Sequence, residues 1–361
     1  MSAFHRPAPS RTRRRAPLPL AIAAILVAVA LAGCSTGATQ RPSLPPDATG
    51  AVGSGVTATP SAAASAVTFP LTLTDDEGTD VELTAEPEKI VSLTPAATET
   101  LFALGVGDRI VGKVEDLSLY PPEAAPIPDV AKFGEVDVEQ IVSLETDLVI
   151  AGGNSFNPPD KIAQLRSLGV PVLVVYAPDV ETVYSDLELI GAAVGRSAEA
   201  RDLTASMRAG FDQVGAGTST LPKPRVFYEL DASQKIYTAA DDSFLAKMIE
   251  VAGGEPITTG STTNFEIPLE TLVTADPEVI LLGDAAYGVT AEAVAERPGW
   301  GVMTAVKDGA IRPVDDVIIT RPGPRLVDGL RALALAIHPD AAVGASAEPS
   351  ASAGMNASPA P

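Results

Sequence analysis

Residue types that do covalent or metal chemistry are scarce in this chain. It has one cysteine, Cys34, and two histidines, His5 and His338. A single cysteine excludes an internal disulfide, a Cys-rich zinc site and a CxxC redox pair. Two histidines, one of them in the first five residues, exclude a multi-His metal centre, and a Ser-His-Asp triad would have to use His338. No P-loop, HExxH, GxSxG or EF-hand loop occurs, and Gly105-Val-Gly107 lacks dinucleotide-loop spacing and context. Carboxylate pairs such as Asp75-Asp76, Asp241-Asp242 and Asp315-Asp316 are plentiful, but in so acidic a chain they read as solvated turns rather than a hydrolytic pair. The more informative cluster is Arg321-Pro-Gly-Pro-Arg325. Three helix breakers hold two guanidiniums at the start of the last helix, where cations oppose the helix dipole. That placement suits a carboxylate, phosphate or amide-rich ligand.

The 361 residues include 25 Lys+Arg against 46 Asp+Glu, a net charge of −21, and 4% aromatics. General nucleic-acid binding is excluded, because phosphate recognition needs clustered cations. Residues 1–33 read as an export signal. Arg11, Arg13, Arg14 and Arg15 precede an uncharged run from Leu20 to Gly33, too short for a span. It ends Leu31-Ala32-Gly33-Cys34, which resembles the bacterial lipobox. Cys34 is therefore the expected lipid attachment site, anchoring an exported protein to the outer face of the cell membrane. Residues 34–67 are expected to be a flexible tether, since 26 of the 33 from 35 to 67 are Gly, Ala, Ser, Thr or Pro. Residues 342–361 share that composition and are expected to be a disordered tail.

Between them the pattern is α/β. An opening hairpin runs from Phe69 to Leu83 through Asp75-Asp-Glu-Gly78. Strands are expected at 89–93, 109–114, 148–151 and 171–176, with helices at 99–104, 138–144 and 159–168 between them. This rhythm calls for a mainly parallel sheet with helices on both faces. Two longer helices, 180–195 and 197–216, follow. The rhythm then restarts with strands at 225–230, 279–282 and 312–314 and helices at 244–251 and 326–337. Residues 139–152 align without gaps on 270–283: Glu, short amphipathic helix, acidic turn, apolar strand, Gly. The expected architecture is two similar α/β lobes, 68–196 and 218–341, joined by one long helix at 197–217, with a ligand cleft between lobes beyond the strand ends.

Ile90-Val-Ser-Leu-Thr-Pro-Ala-Ala-Thr-Glu99, Tyr120-Pro-Pro-Glu-Ala, Val138-Glu-Gln-Ile-Val-Ser-Leu, Arg297-Pro-Gly-Trp300 and Arg321-Pro-Gly-Pro-Arg-Leu occur in that order. Together they resemble the periplasmic iron-siderophore and vitamin B12 binding proteins of ABC importers. The resemblance implies two lobes, modest hinge closure, no catalysis and no intrinsic cofactor. It implies a bulky metal chelate as ligand, a ferric siderophore or corrinoid ahead of haem. It implies as partner a permease with its ATPase, met by a monomer. It also implies a docking Glu on each lobe, and the matching positions are Glu139 and Glu270, the pair related by the internal repeat. Aromatic cleft residues in the cobalamin branch correspond here to Tyr120, Phe133 and Phe265, although Leu117 and Phe133 replace the family's own aromatics. Thr94, Tyr237, Arg321 and Arg325 complete the expected ligand contacts. Haem would need a tyrosine ligand from Tyr120, Tyr176, Tyr184, Tyr228, Tyr237 or Tyr287. The rival readings are a secreted hydrolase using cleft carboxylates and a sensory or structural lipoprotein. A hydrolase would carry no coloured chelate.

Overall fold

The structure is a computed structural model that describes residues 67–153 and 156–344. The signal, Cys34, nearly all of the tether and the tail from 345 lie outside the described residues. Strands β1 (Leu71–Thr74) and β2 (Asp80–Leu83) pair antiparallel as the alternation predicts. The turn is closed by the Asp75 carboxylate, which accepts from the backbone N–H of Glu77 and Thr79 at 3.0 and 2.8 Å.

A six-stranded sheet follows, built from β3 (Ile90–Ser92), β4 (Ile110–Val114), β5 (Asp129–Lys132), β6 (Glu135–Val136), β7 (Leu148–Ala151) and β8 (Val172–Val174). Its order is β6-β5-β4-β3-β7-β8, parallel throughout except for β5 against β6. Every residue of β7 is buried, as a strand covered on both faces requires. Ile90, Leu148 and Leu173 pack on one face; Val91, Val149 and Val172 on the other. Helices α1 (Pro95–Ala103), α2 (Val138–Ser143) and α3 (Pro159–Ser167) make the crossovers. Helix α1 starts four residues before the expected Glu99, because Thr94 caps it, accepting from Ala97 N–H, and Pro95 fits its first turn.

Helices α4 (Val180–Ala193) and α5 (Ser197–Thr218) lead out of this sheet. Gly195 turns between them at φ +71°, where a Cβ would lie 2.9 Å from the Glu86 carboxyl carbon. Ile190 and Ala193 of α4 join the first core; its Val183, Tyr184 and Leu187 join the second. A second sheet then forms from β9 (Arg225–Glu229), β10 (Glu255–Pro256), β11 (Val279–Leu282) and β12 (Ile311–Pro313), all parallel in the order β10-β9-β11-β12. Helices α6 (Phe244–Val251), α7 (Leu269–Ala275), α8 (Ala291–Ala295), α9 (Thr304–Lys307), α10 (Asp316–Thr320) and α11 (Leu326–Ile337) surround it. The internal repeat is structural: α2–β7 and α7–β11 correspond at the aligned positions. Glu145 and Asp276, equivalent in that alignment, both adopt positive φ, 55° and 48°.

Two expectations need adjustment. Strands β5, β6 and β10 have too few apolar residues to show in the sequence, and α10 is a single short segment after a turn. Packing also continues past the expected tail boundary at 342, because Val343 is buried in the second core.

Asp186 of α4 is buried beside Asp76 of the hairpin turn. Burial, then the neighbouring Asp76 charge, pushes its carboxyl up to about 8. A folded-state value above the unfolded one means that the folded protein holds the extra proton. Stability from this group is therefore complete below about pH 4 and lost as pH rises to about 8. Asp186→Asn is expected to raise the melting temperature at pH 8, by about 1–3 kcal/mol of stability, and to do less at pH 5. Equal effects at both pH values in thermal melts would remove the titration from the account.

Candidate functional site

Parallel strands carry ligands beyond their carboxyl ends, and in both sheets those ends bear exposed apolar and aromatic side chains. Phe133 follows β5, Phe156 follows β7, Tyr176 follows β8, and Tyr287 follows β11. Phe133 and Tyr287 are 83% and 88% exposed, values at which a large ring contributes nothing to the core. Phe265 lies in the loop after β10 and is exposed. Leu117 and Leu119, after β4, are exposed too. A cavity of about 510 Å³ opens among Asp76, Gly153, Val174, Tyr176, Pro178 and Thr182. Another of about 180 Å³ lies among Thr98, Lys113, Asp116, Leu119 and Tyr120.

The expected residues separate into two groups. Phe133 and Phe265 present rings to solvent at strand ends, while Tyr120 and Tyr237 are half-buried. Tyr237 is pinned by backbone bridges to Asp231 and Glu266. Thr94 is buried, its hydroxyl engaged in the α1 cap. Its methyl fills the space where a Cβ on Gly152 would lie, 2.4 Å away. Its placement is that of a structural residue rather than a surface contact.

The arginine pair is likewise taken up within the chain. Arg321 Nη1 donates to Glu99 at 2.6 Å and to Asp116 at 2.9 Å; its Nη2 donates to Asp116 at 3.1 Å. Arg325 donates from Nε and Nη2 to the two Glu99 oxygens at 2.9 and 2.7 Å. Its guanidinium also lies 3.6 Å from the Tyr120 ring centroid. Glu99 belongs to α1 and Asp116 to the loop after β4, whereas both arginines follow β12. The network therefore ties the ends of one sheet to the ends of the other. Gly323, between the arginines, sits with its would-be Cβ 3.7 Å from Ala96 of α1. Burial opposes the charged form of Asp116, yet hydrogen bonds from Arg321 and Ser118 hold its carboxyl below the ordinary range. Nothing in the sequence pattern named Glu99 or Asp116. The available signal was electrostatic: two arginines within five residues, opposed to a helix dipole, need carboxylates close by.

Other motif residues are also internal. Arg297 grips the buried Glu229 with two hydrogen bonds, 2.6 and 2.8 Å, and lies 4.7 Å from the Trp300 ring centroid. Burial, reinforced by the Glu229 charge, pushes the Asp284 carboxyl up. Asp315 caps α10 while Asp316 accepts from the Tyr228 hydroxyl at 2.7 Å, so the two carboxylates hold structure rather than face each other across a reaction site. Tyr184 and Tyr228 are buried, which leaves Tyr120, Tyr176, Tyr237 and Tyr287 of the tyrosines proposed for haem. Burial raises the Tyr120 phenol above its ordinary value even with Arg325 beside it, so it stays protonated.

Glu139 and Glu270 occupy the first turns of α2 and α7 and are exposed. They are equivalent under the repeat, one on each sheet's half.

The periplasmic binding protein family matches residues 90–317. The chain belongs to this family. Its members bind solutes and are not enzymes, which sets aside the hydrolase reading. An uncharacterised ABC transporter substrate-binding lipoprotein of Bacillus subtilis, YvrC, is 36% identical over 277 residues, 75% of this chain and 87% of that one. A cobalamin-binding protein of Halobacterium salinarum is 33% identical over 287 residues, covering 76% of this chain and 75% of the relative. The crystal structure of the periplasmic vitamin B12 binding protein BtuF of Vibrio cholerae superposes with a TM-score of 0.61 at 24% identity, covering 70% of this chain and 97% of that structure. That likeness is one of fold: two mainly parallel sheets of the kind this binding protein has.

Proposed function

We propose that this binding protein captures a corrinoid and delivers it to an ABC permease, after anchoring through a lipidated Cys34 to the outer face of the cell membrane. The observation that carries the reading is the set of exposed rings beyond the strands of both sheets, Phe133, Phe265 and Tyr287, together with the half-buried Tyr120 in the loop after β4. A broad, flat, amide-fringed chelate covers such rings and removes them from water. The halves that would act as lobes are 68–196 and 218–341, with α5 between them. The Halobacterium relative named as a cobalamin-binding protein supports the same choice. A ferric siderophore ranks second. Haem ranks third, since His338 is engaged by the Gly253 carbonyl and the axial ligand would have to be a tyrosine. Glu139 and Glu270 are the permease contacts in this reading.

Titration with cyanocobalamin, cobinamide, a ferric hydroxamate and haem, followed by thermal shift and visible absorbance, tests it. Saturation at 100 times the dissociation constant adds about 2.7 kcal/mol of stability. Phe133→Ala and Phe265→Ala are each expected to weaken corrinoid binding about threefold to tenfold, the worth of a ring contact, without changing the melting temperature of the free protein. A shift with the ferric hydroxamate alone would assign the cleft to siderophores.

A further inference from the structure

Glu99 and Asp116 are the residues that the proposed function leaves without a role. Both carboxylates lie on the guanidiniums, where a ligand carboxylate would otherwise bind, and Asp116 also lines the cavity of about 180 Å³ beside Tyr120. Glu99 is almost wholly enclosed, its side chain 2% exposed, and it holds Arg321 and Arg325 together. Asp116 completes the fork of Arg321 through two oxygens and is itself fixed by Ser118, whose N–H and hydroxyl both donate to it. Two positive and two negative charges thus cancel within the protein. Other cations at these strand ends are paired in the same way: Lys113 with Asp129, Lys132 with Glu135, and Lys235 with Glu266. Glu115 and Asp315, by contrast, are exposed without a cation among the described salt bridges.

We infer that Glu99 and Asp116 are specificity-determining residues, built-in carboxylates that occupy the arginine pair and so turn the cleft away from ligands that carry carboxylates of their own. A ligand carboxylate reaching Arg321 would have to displace Asp116, which is held by both the arginine and Ser118. It would also meet the surrounding acids, and like charge at close range disfavours the wrong partner. A neutral, amide-bearing chelate faces no such barrier. The selectivity therefore lies in a repulsive element and in donors already filled, rather than in a new attractive contact.

This inference rests on the chelate-binding reading above, and the test separates the two. The full chain is titrated with cyanocobalamin, which is neutral, and with ferric citrate, which presents carboxylates. Wild-type protein is expected to prefer cyanocobalamin. In Asp116→Asn, which frees one side of Arg321, the ratio of ferric citrate to cyanocobalamin affinity is expected to rise at least tenfold. Asp116→Glu should restore the wild-type ratio, which a merely structural role for the loop would not do. Arg321→Gln gives the opposite sign, lowering the ratio, and serves where Asp116→Asn melts below the assay temperature. An unchanged ratio in both variants, with cyanocobalamin still bound, overturns the selectivity role and leaves the function standing. Wild-type preference for ferric citrate also overturns it. Failure of the wild-type protein to bind any chelate overturns the functional reading and this inference together.

Discussion

Glu99→Ala is expected to destabilise the protein by about 3–5 kcal/mol, the cost of breaking a buried ion pair by removing one partner. The carboxylate lies inside the protein and takes three N–H donors, one from Arg321 and two from Arg325. Its removal leaves Arg325 with no carboxylate and Arg321 with Asp116 alone, so one desolvated guanidinium is uncompensated. Packing suffers as well. The Arg325 guanidinium lies over Tyr120 and owes its position to Glu99, so the ring loses its support on that side. Arg321→Ala should cost less, about 1–2 kcal/mol, because Glu99 keeps both hydrogen bonds from Arg325. Urea denaturation of the free protein, with a double-mutant cycle between Glu99 and Arg325, measures both numbers. A loss below about 1 kcal/mol for Glu99→Ala would show that water or the arginines' own movement compensates the pair. The ordering matters more than the magnitudes: the enclosed Glu99 should cost more stability than Arg321.

The fold was legible because burial on both faces leaves long apolar runs in the strands, and Leu148–Ala151 and Val279–Leu282 coincide with their expected bounds. Strands such as Asp129–Lys132 and Glu135–Val136 escaped because they are short and bury only two residues and one residue respectively, too few for an apolar run. The repeat gave more than topology, since it located the equivalent exposed acids Glu139 and Glu270. Exposure at the candidate site followed residue type alone for Phe133 and Phe265. Site residues were not legible where a partner distant in sequence decided. Arg321 lies 222 residues from Glu99, and no local pattern connects them. Thr94 differs, because its cap to Ala97 is local and its position before Pro95 signals it. Tyr176 and Tyr287 were named in the sequence only as tyrosines that haem would need, and their exposure beside Leu119 was visible only once the strand ends were placed.

Reversing Glu139 and Glu270 together to Arg is expected to lower uptake at least tenfold while leaving ligand binding in solution intact. Each acid stands in the first turn of a short helix, α2 or α7, and each helix precedes the corresponding strand of its sheet, β7 or β11. The strands anchor the helices, because Ile141 and Leu272, equivalent in the repeat, are fully buried beneath them. The two carboxylates are therefore presented on rigid supports, one from each half, and neither is among the cavity-lining residues. As isolated surface acids at helix starts they would contribute about 0.3–1 kcal/mol each to stability and nothing more. As docking groups they would meet cationic sites on the two halves of a permease dimer, so that charge reversal replaces attraction with repulsion at both. Single Glu→Ala variants should give intermediate uptake, and the double reversal should be worse than either. Radiolabelled ligand uptake at equal surface abundance, set beside calorimetric affinity for the same ligand, separates the cases. Full uptake by the double reversal would return both residues to the role of helix-start acids. Loss of affinity instead of uptake would place them in the cleft, which their exposure outside both cavities argues against.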